Sequence, residues 1–490
     1  MSNDNDHKLN MDADTFREIG HELIDSLANF IGTIDERKTA PDLIDLRKRP
    51  KPLPRSLPEK GSSLREILHK SQIDLFDGVR HINHPRTLGC ITGTPAPAAI
   101  LADFLATTLN ANLVGWDASL IPCEIEDETV KWVAELLAYP STSGGLFVSG
   151  GTVANFIGFL VARAALADWN IRQEGLSADG RQLRIYAASE THTWIEKAAE
   201  ISGLGLNAIR WIGSDDQGRI DLNLLQEQLV ADKTNGDFPF LIIGNAGNCN
   251  TGAVDPLNGL ADLAEKHDVW FHVDGAFGAP ACITKQAKPL FSGMERAHSL
   301  AVDAHKWLFA PLEAGLVLIR DRNALRKSFA FEPTYYHGRD PYDDEVNNYF
   351  AFGLQNSRNF RALKVWALLQ NVGKNGFIEE IERNLTLAQY LIQILEKDED
   401  FEVGPANLSL VTFRYTGGSN AKGLKDSDLN QINAKILVQI KNEGRIHLSN
   451  SVIDDVFYLK AISTNFRTQQ SDMDLVPVVV REVAQKVLNS

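Results

Sequence analysis

The sequence predicts an α/β protein: a mostly parallel sheet with helices on both faces, a smaller α+β domain at the C-terminus, and a helical segment at the N-terminus. Three observations carry the prediction. From about residue 97, short apolar runs alternate with helical patterns. The runs give way to clusters of small and polar residues. After Arg361 a long helical stretch is followed by shorter strands and helices. Strand–loop–helix units have this rhythm, because parallel strands buried on both faces read as continuous apolar runs.

Taken in chain order, residues 12–31 read as an amphipathic helix. Phe16, Ile19, Leu23, Leu27 and Phe30 recur at three- and four-residue steps, and Thr15 with Glu18 fits a capping box. The basic, proline-rich stretch Arg47–Pro54 reads as a stiff extended linker, with a partner-docking peptide as the sharper alternative. Strand patterns occupy Gly145–Ser149, Arg184–Ala188, Phe240–Gly244 and Val269–Val273, and a further apolar run spans Gly315–Ile319. The first leads into a helix through Phe159–Val161, and the second precedes a helix beginning near Thr193. A long helical region runs from Arg361 to about Lys397. Beyond it come strands at Leu408–Tyr415 and Val456–Ile462 and helices at Ser427–Asn442 and Met473–Leu488. The expected division is a helical and linker segment at 1–96, a large domain at 97–375 and a small α+β domain at 376–490.

Composition narrows the function. The chain has 490 residues, 44% of them hydrophobic, which is too long for one simple core. A formal net charge of -15 argues against nucleic acid or an anionic membrane as the main partner. Cys90, Cys123, Cys249 and Cys282 are scattered, with no metal-ligand spacing, so a reduced compartment and no metal are expected. The first ten residues, MSNDNDHKLN, lack the apolar core of a signal peptide, and no apolar run is long enough for a membrane span. These features together predict a cytoplasmic protein.

In open parallel sheets, ligands bind beyond the carboxyl ends of the strands, so four polar clusters become candidate site segments. Ser149-Gly150-Gly151-Thr152-Val153-Ala154-Asn155 fits either a turn that simply starts a helix or a cradle in which backbone N–H groups meet an anion. His272-Val273-Asp274-Gly275-Ala276 ends an apolar strand in a carboxylate, either capping the next turn or serving a buried cation such as a protonated ring nitrogen. Asp303-Ala304-His305-Lys306-Trp307-Leu308-Phe309-Ala310 sets a lysine in expected apolar surroundings, which depress its pKa as a Schiff-base nucleophile requires. His305 is a candidate phosphate donor. Glu190-Thr191-His192-Thr193-Trp194 offers an imidazole that either stacks on a planar cofactor or bonds to backbone.

An anion cradle, an acid for a ring nitrogen, a stacking imidazole and a partly desolvated lysine are together what pyridoxal phosphate needs. The chain resembles the aromatic-L-amino-acid (group II) pyridoxal-phosphate decarboxylases over nearly its whole length. The Phe16-Arg17 helix, His84-Pro85-Arg86, SGGTVAN at 149–155, HVDGAFG at 272–278, DAHKW at 303–307 and Pro333-Thr334-Tyr335 fall in that family's order. The resemblance implies the aspartate-aminotransferase fold (fold type I) in a homodimer with active sites at the subunit interface. It implies a Schiff base at Lys306, Asp274 on the pyridine nitrogen, and His192 and Ala276 on opposite faces of the ring. Gly151, Thr152 and His305 would hold the phosphate, with Asp303 nearby, and Cys249 stands where the family has a threonine near the cofactor. Decarboxylation of an L-amino acid to its amine follows, with Tyr335 returning the proton to Cα. Relatives with phenylalanine there tend to form aldehydes. The loop at 333–347 is expected to be mobile and to close on substrate.

One departure bears on the substrate. Aromatic-substrate members carry aromatic residues after His-Pro, whereas this chain has Thr87-Leu88-Gly89-Cys90-Ile91-Thr92-Gly93-Thr94-Pro95. A ring has less to stack on, so an aliphatic, acidic or less common aromatic substrate is expected. Two other pyridoxal reactions, transamination with Arg467 on the substrate carboxylate and carbon–carbon lysis, are the competing readings. A catalytically silent scaffold is disfavoured by intact Lys306, Asp274 and Tyr335. A nicotinamide dehydrogenase lacks a GxGxxG after a strand.

Overall fold

The computed structural model describes residues 9–41, 56–176, 178, 180–215, 217–331, 348–418 and 424–489. The proline-rich stretch 47–54, Tyr335 and the 333–347 loop therefore lie outside the described residues. A seven-stranded sheet is built from β1 (Gly144–Val148), β2 (Leu183–Ala188), β3 (Ile209–Ile212), β4 (Phe238–Asn245), β5 (Trp270–Asp274), β6 (Ser299–Asp303) and β7 (Gly315–Ile319). Its order is β1-β7-β6-β5-β4-β2-β3. Neighbours from β6 to β3 pair in parallel, and β7 runs antiparallel to both β6 and β1. The sheet is thus mostly parallel, as its unbroken apolar runs predict. Every residue of β1, β6 and β7 is buried.

A second, antiparallel sheet joins β8 (Phe401–Asn407), β9 (Leu410–Tyr415), β10 (Ser449–Ile453) and β11 (Val456–Ile462) in the order β10-β11-β9-β8. It has its own apolar core with the helices Asp426–Glu443 and Gln470–Leu488. The helix Ala362–Glu396 links the two bodies and leaves helical geometry at Gly373, two residues before the expected division at 375. Leu88, far away in sequence, is buried in the small core. Its N–H donates to the His447 carbonyl and its own carbonyl accepts from Ile462.

The N-terminal helix spans Ala13–Gly32, and its cap differs from the expected capping box. Asp12 accepts from the N–H groups of Asp14 and Thr15, because an aspartate at this position satisfies two free donors at once. Its apolar stripe is only partly covered: Phe30 stacks on Phe76 with centroids 4.2 Å apart, but Phe16 is 55% exposed and no residue of the helix is fully buried. Among the described residues no helix is long and apolar enough to cross a membrane. All four cysteines are free thiols.

Three buried histidines stay neutral in the fold. Burial pushes His84 and His272 down to about 4 and His447 down to about 3, against an ordinary 6.5. The bonding of His272 agrees: Nε2 donates to Asn155 Oδ1, and Nδ1 accepts from Ser299 Oγ, both at 2.7 Å. On unfolding these rings take up protons below about 6.5 that the native state refuses, so stability is full above that pH and is lost as pH falls toward about 4. The urea midpoint is expected to drop steadily between about pH 7 and pH 5. A midpoint constant over that range would contradict the neutral assignment.

Candidate active site

The carboxyl ends of the parallel strands converge on a cavity of about 620 Å³. Gly151, Thr152, His192, Cys249, Asp274, Ala276, Asp303, His305 and Lys306 all line it. The sequence-predicted site residues are therefore brought together, apart from Tyr335, which is outside the described residues. The convergence follows from topology: β1, β2, β5 and β6 end at the same edge and are each followed by one of the four polar clusters, and β4 ends there too, followed by the turn that carries Cys249.

At the end of β6, Lys306 Nζ lies 3.0 Å from Asp303 Oδ2. This corrects the expectation of apolar surroundings. Trp307, Leu308 and Phe309 are buried beneath the turn, but the ammonium itself meets a carboxylate. The turn is fixed from three sides. Trp307 stacks on Phe277 with centroids 5.3 Å apart, and its Nε1 donates to Asn384 Oδ1 at 2.9 Å. Gly93 packs so closely that a Cβ there would lie 1.8 Å from the Lys306 carbonyl oxygen. His305 Nδ1 accepts from the Ala314 N–H at 3.2 Å, which leaves its proton on Nε2, and burial lowers its pKa against the opposing pull of Asp303.

Asp274 closes β5. Its Oδ2 accepts from Trp194 Nε1 at 2.8 Å and its Oδ1 from the Ala276 N–H at 3.2 Å. Both donors are neutral, so the carboxylate keeps its charge available to the cavity. Trp194 is the partner that sequence reasoning missed, although it ends the cluster that contains His192. His192 itself is exposed to the cavity, and its Nδ1 accepts from the Trp194 N–H at 3.2 Å. Opposite, Gly150 takes φ 126 and starts the helix Gly151–Leu166, whose N-terminus lines the cavity. A Cβ on Gly151 would approach Asp303 Oδ2 to 2.5 Å and Ala276 Cβ to 3.2 Å.

These residues fit pyridoxal phosphate. Among the described residues, Asp303 Oδ1 is buried without a hydrogen-bond partner and Asp274 faces the cavity with no cationic side chain paired to it, and the glycine-walled helix start is shaped for an anion. Of the aromatic-free stretch 87–95, Ile91 alone lines the cavity. Leu312 and Glu313 add to the wall, with Glu313 held by Arg361 at 2.8 Å. Arg358 is buried against Glu126, and Arg467 lies over the Phe466 ring outside the cavity lining.

Fold and cavity together define a pyridoxal-phosphate-dependent α/β enzyme of fold type I. Residues 47–416 match the model of the pyridoxal-dependent decarboxylase conserved domain. The chain is 34% identical to an aromatic-L-amino-acid decarboxylase of Bacillus atrophaeus, over 98% of this chain and 97% of that one. It is 29% identical to tyrosine decarboxylase 3 of Petroselinum crispum, over 92% and 88%. The crystal structure of Oryza sativa TDC with pyridoxal phosphate and tryptamine superposes with a TM-score of 0.89 at 24% identity, covering 97% of this chain and 99% of that one, a likeness of fold. The chain belongs to the pyridoxal-dependent decarboxylase family: it is a carboxy-lyase that uses pyridoxal phosphate to decarboxylate an L-amino acid.

Proposed function

We propose that Lys306 carries the cofactor and that the substrate is an L-amino acid with an aliphatic, acidic or less common aromatic side chain rather than an indole or catechol. The supporting observation for the first part is the meeting of Lys306, Asp303, Asp274 and the Gly151 helix start around one cavity. For the second it is Ile91, the one contribution of residues 87–95 to that cavity. Pyridoxal phosphate, when bound, supplies a protonated ring that accepts the electron pair left at Cα as CO₂ departs.

The chain's own residues do the rest. Lys306 Nζ would hold the cofactor through its amine. Asp274, held by Trp194, would lie against the ring nitrogen and favour its protonated form. His192 and Ala276, both in the cavity lining, would pack on the cofactor ring and so orient the bond to be broken. Gly151, Thr152 and the Nε2–H of His305 would hold the phosphate, Asp303 pairs with Lys306, and Cys249 forms the adjoining wall. Tyr335 returns the proton to Cα, which favours amine over aldehyde. Transamination is disfavoured, because Arg467 lies outside the cavity lining.

The working unit is a homodimer in the cytoplasm with active sites at the subunit interface, each chain divided at 1–96, 97–375 and 376–490. Phe16, Leu27, Leu101, Phe104 and Leu109, all more than one-third exposed on the helices Ala13–Gly32 and Pro97–Leu109, supply the apolar surface for a second copy. Amine and CO₂ release by cofactor-loaded protein, measured over all common L-amino acids, tests the reading. An aliphatic, acidic or less common aromatic amino acid is expected to be the best substrate, and clear dominance of tryptophan or L-DOPA would overturn the substrate assignment.

A further inference from the structure

The turn Asn248–Thr251 forms one wall of the cavity, with Asn248 and Cys249 facing it. It is held from behind by the small sheet. Lys460 Nζ on β11 donates to the Cys249 carbonyl at 2.8 Å. Ser451 Oγ on β10 donates to the Asn250 carbonyl at 2.7 Å, and Asn407 Nδ2 on β8 to the Thr251 carbonyl at 3.2 Å. From the same turn, Asn250 Nδ2 donates to Glu190 Oε2 at 2.7 Å, two residues before His192. The fit leaves little slack: a Cβ on Gly252, whose φ is 74, would lie 2.5 Å from the Asn407 carbonyl oxygen.

Lys460 is the unusual member of this strap. A carbonyl can be met by an amide or a hydroxyl, whereas withdrawing an ammonium from water is costly. Among the described residues no carboxylate pairs with Lys460. Its cross-strand neighbours Thr412 on β9 and Ser449 on β10 do not ionise, and Cys249 is the titratable group that acts on it. Burial lowers its pKa. A charged donor makes a stronger hydrogen bond to a carbonyl than a neutral one, and here that bond ends on the cavity wall.

We propose that Lys460 is a positioning residue of the decarboxylase: through the Cys249 carbonyl it fixes the Asn248–Thr251 turn, and through Asn250 and Glu190 the loop carrying His192. The small sheet thereby sets the wall against which the cofactor ring lies. This rests on the assignment of Cys249 and His192 to the cofactor.

Lys460→Met and Lys460→Gln in the full chain test it with two readouts. The first is hydrogen exchange of the cofactor-free protein, followed in peptides covering 247–252, 187–193 and, as a control, 410–415. The second is the cofactor dissociation constant, from the absorbance of lysine-bound cofactor. Lys460→Met is expected to speed exchange in the first two segments but not the third, and to weaken cofactor binding about tenfold. Lys460→Gln keeps an N–H donor and is expected to restore both to within about threefold. Unchanged exchange in 247–252, exchange rising equally in 410–415, or equal loss in the two variants would overturn the proposal. Faster exchange with unchanged cofactor affinity would overturn it by a different route, showing a real strap whose turn does not bear on the cofactor.

Discussion

Lys306→Ala is expected to lower amine release from any substrate by at least about a thousandfold while leaving the chain folded. Lys306 Nζ is the amine that faces Asp303 in the cavity, 3.0 Å from Oδ2. Truncation removes the nucleophile and the charge partner of Asp303, and leaves the apolar packing beneath the turn in place. Trp307 keeps its stack on Phe277 and its bond to Asn384, and the Lys306 backbone keeps its seat against Gly93. The variant is therefore expected to retain its circular dichroism and to lose both product amine and the absorbance of lysine-bound cofactor. Turnover within about tenfold of the parent would remove Lys306 from the chemistry.

The second large effect is on stability. β1 is an edge strand, and the N–H and carbonyl of Phe147 are taken up by side chains instead of a neighbouring strand. Glu126 Oε1 accepts from the N–H at 2.9 Å, and Arg358 Nη2 donates to the carbonyl at 2.8 Å. Glu126 and Arg358 also pair with each other, both fully or almost fully buried, and the guanidinium lies 4.4 Å from the centroid of the Tyr349 ring. Replacing either one by alanine strands the other charge out of water. Glu126→Ala or Arg358→Ala is expected to cost about 3–5 kcal/mol, measured by denaturant unfolding of the cofactor-free protein. A double replacement by Leu and Met is expected to cost less than the sum of the single losses, because no charge is left unpaired. A loss below about 1 kcal/mol for either single alanine would show that water or a rearranged partner reaches the site. Cofactor affinity is expected to fall with stability, since β1 leads directly into Ser149-Gly150-Gly151.

Much of this architecture is legible in the sequence because its causes are local. The apolar runs at 240–244, 269–273 and 315–319 stand out since strands buried on both faces have no polar alternation to blur them. The strands that sequence reading passed over lack that mark. β3 is a four-residue edge strand with Trp211 exposed, β8 and β10 are mostly only half-buried, and β6 has just three apolar residues between Ser299 and Asp303. The site residues were readable for a similar reason: each lies in a short segment whose residue types declare an anion, a ring nitrogen or an amine.

By itself the sequence determined the class of fold, the longer apolar strands and helices along the chain, and the polar segments whose side chains line the cavity. These depend on periodicity and residue type within a few positions. Tertiary structure alone decided the pairings: Trp194 on Asp274, 80 residues apart; Arg358 on Glu126, 232 apart; Lys460 on Cys249, 211 apart. It also decided that the apolar stripe of the first helix would be only partly covered, with Phe30 stacked on Phe76 and Phe16 left exposed. A donor and an acceptor far apart in sequence carry no shared pattern. Their partnership exists only once the sheet order has set which strand ends lie side by side.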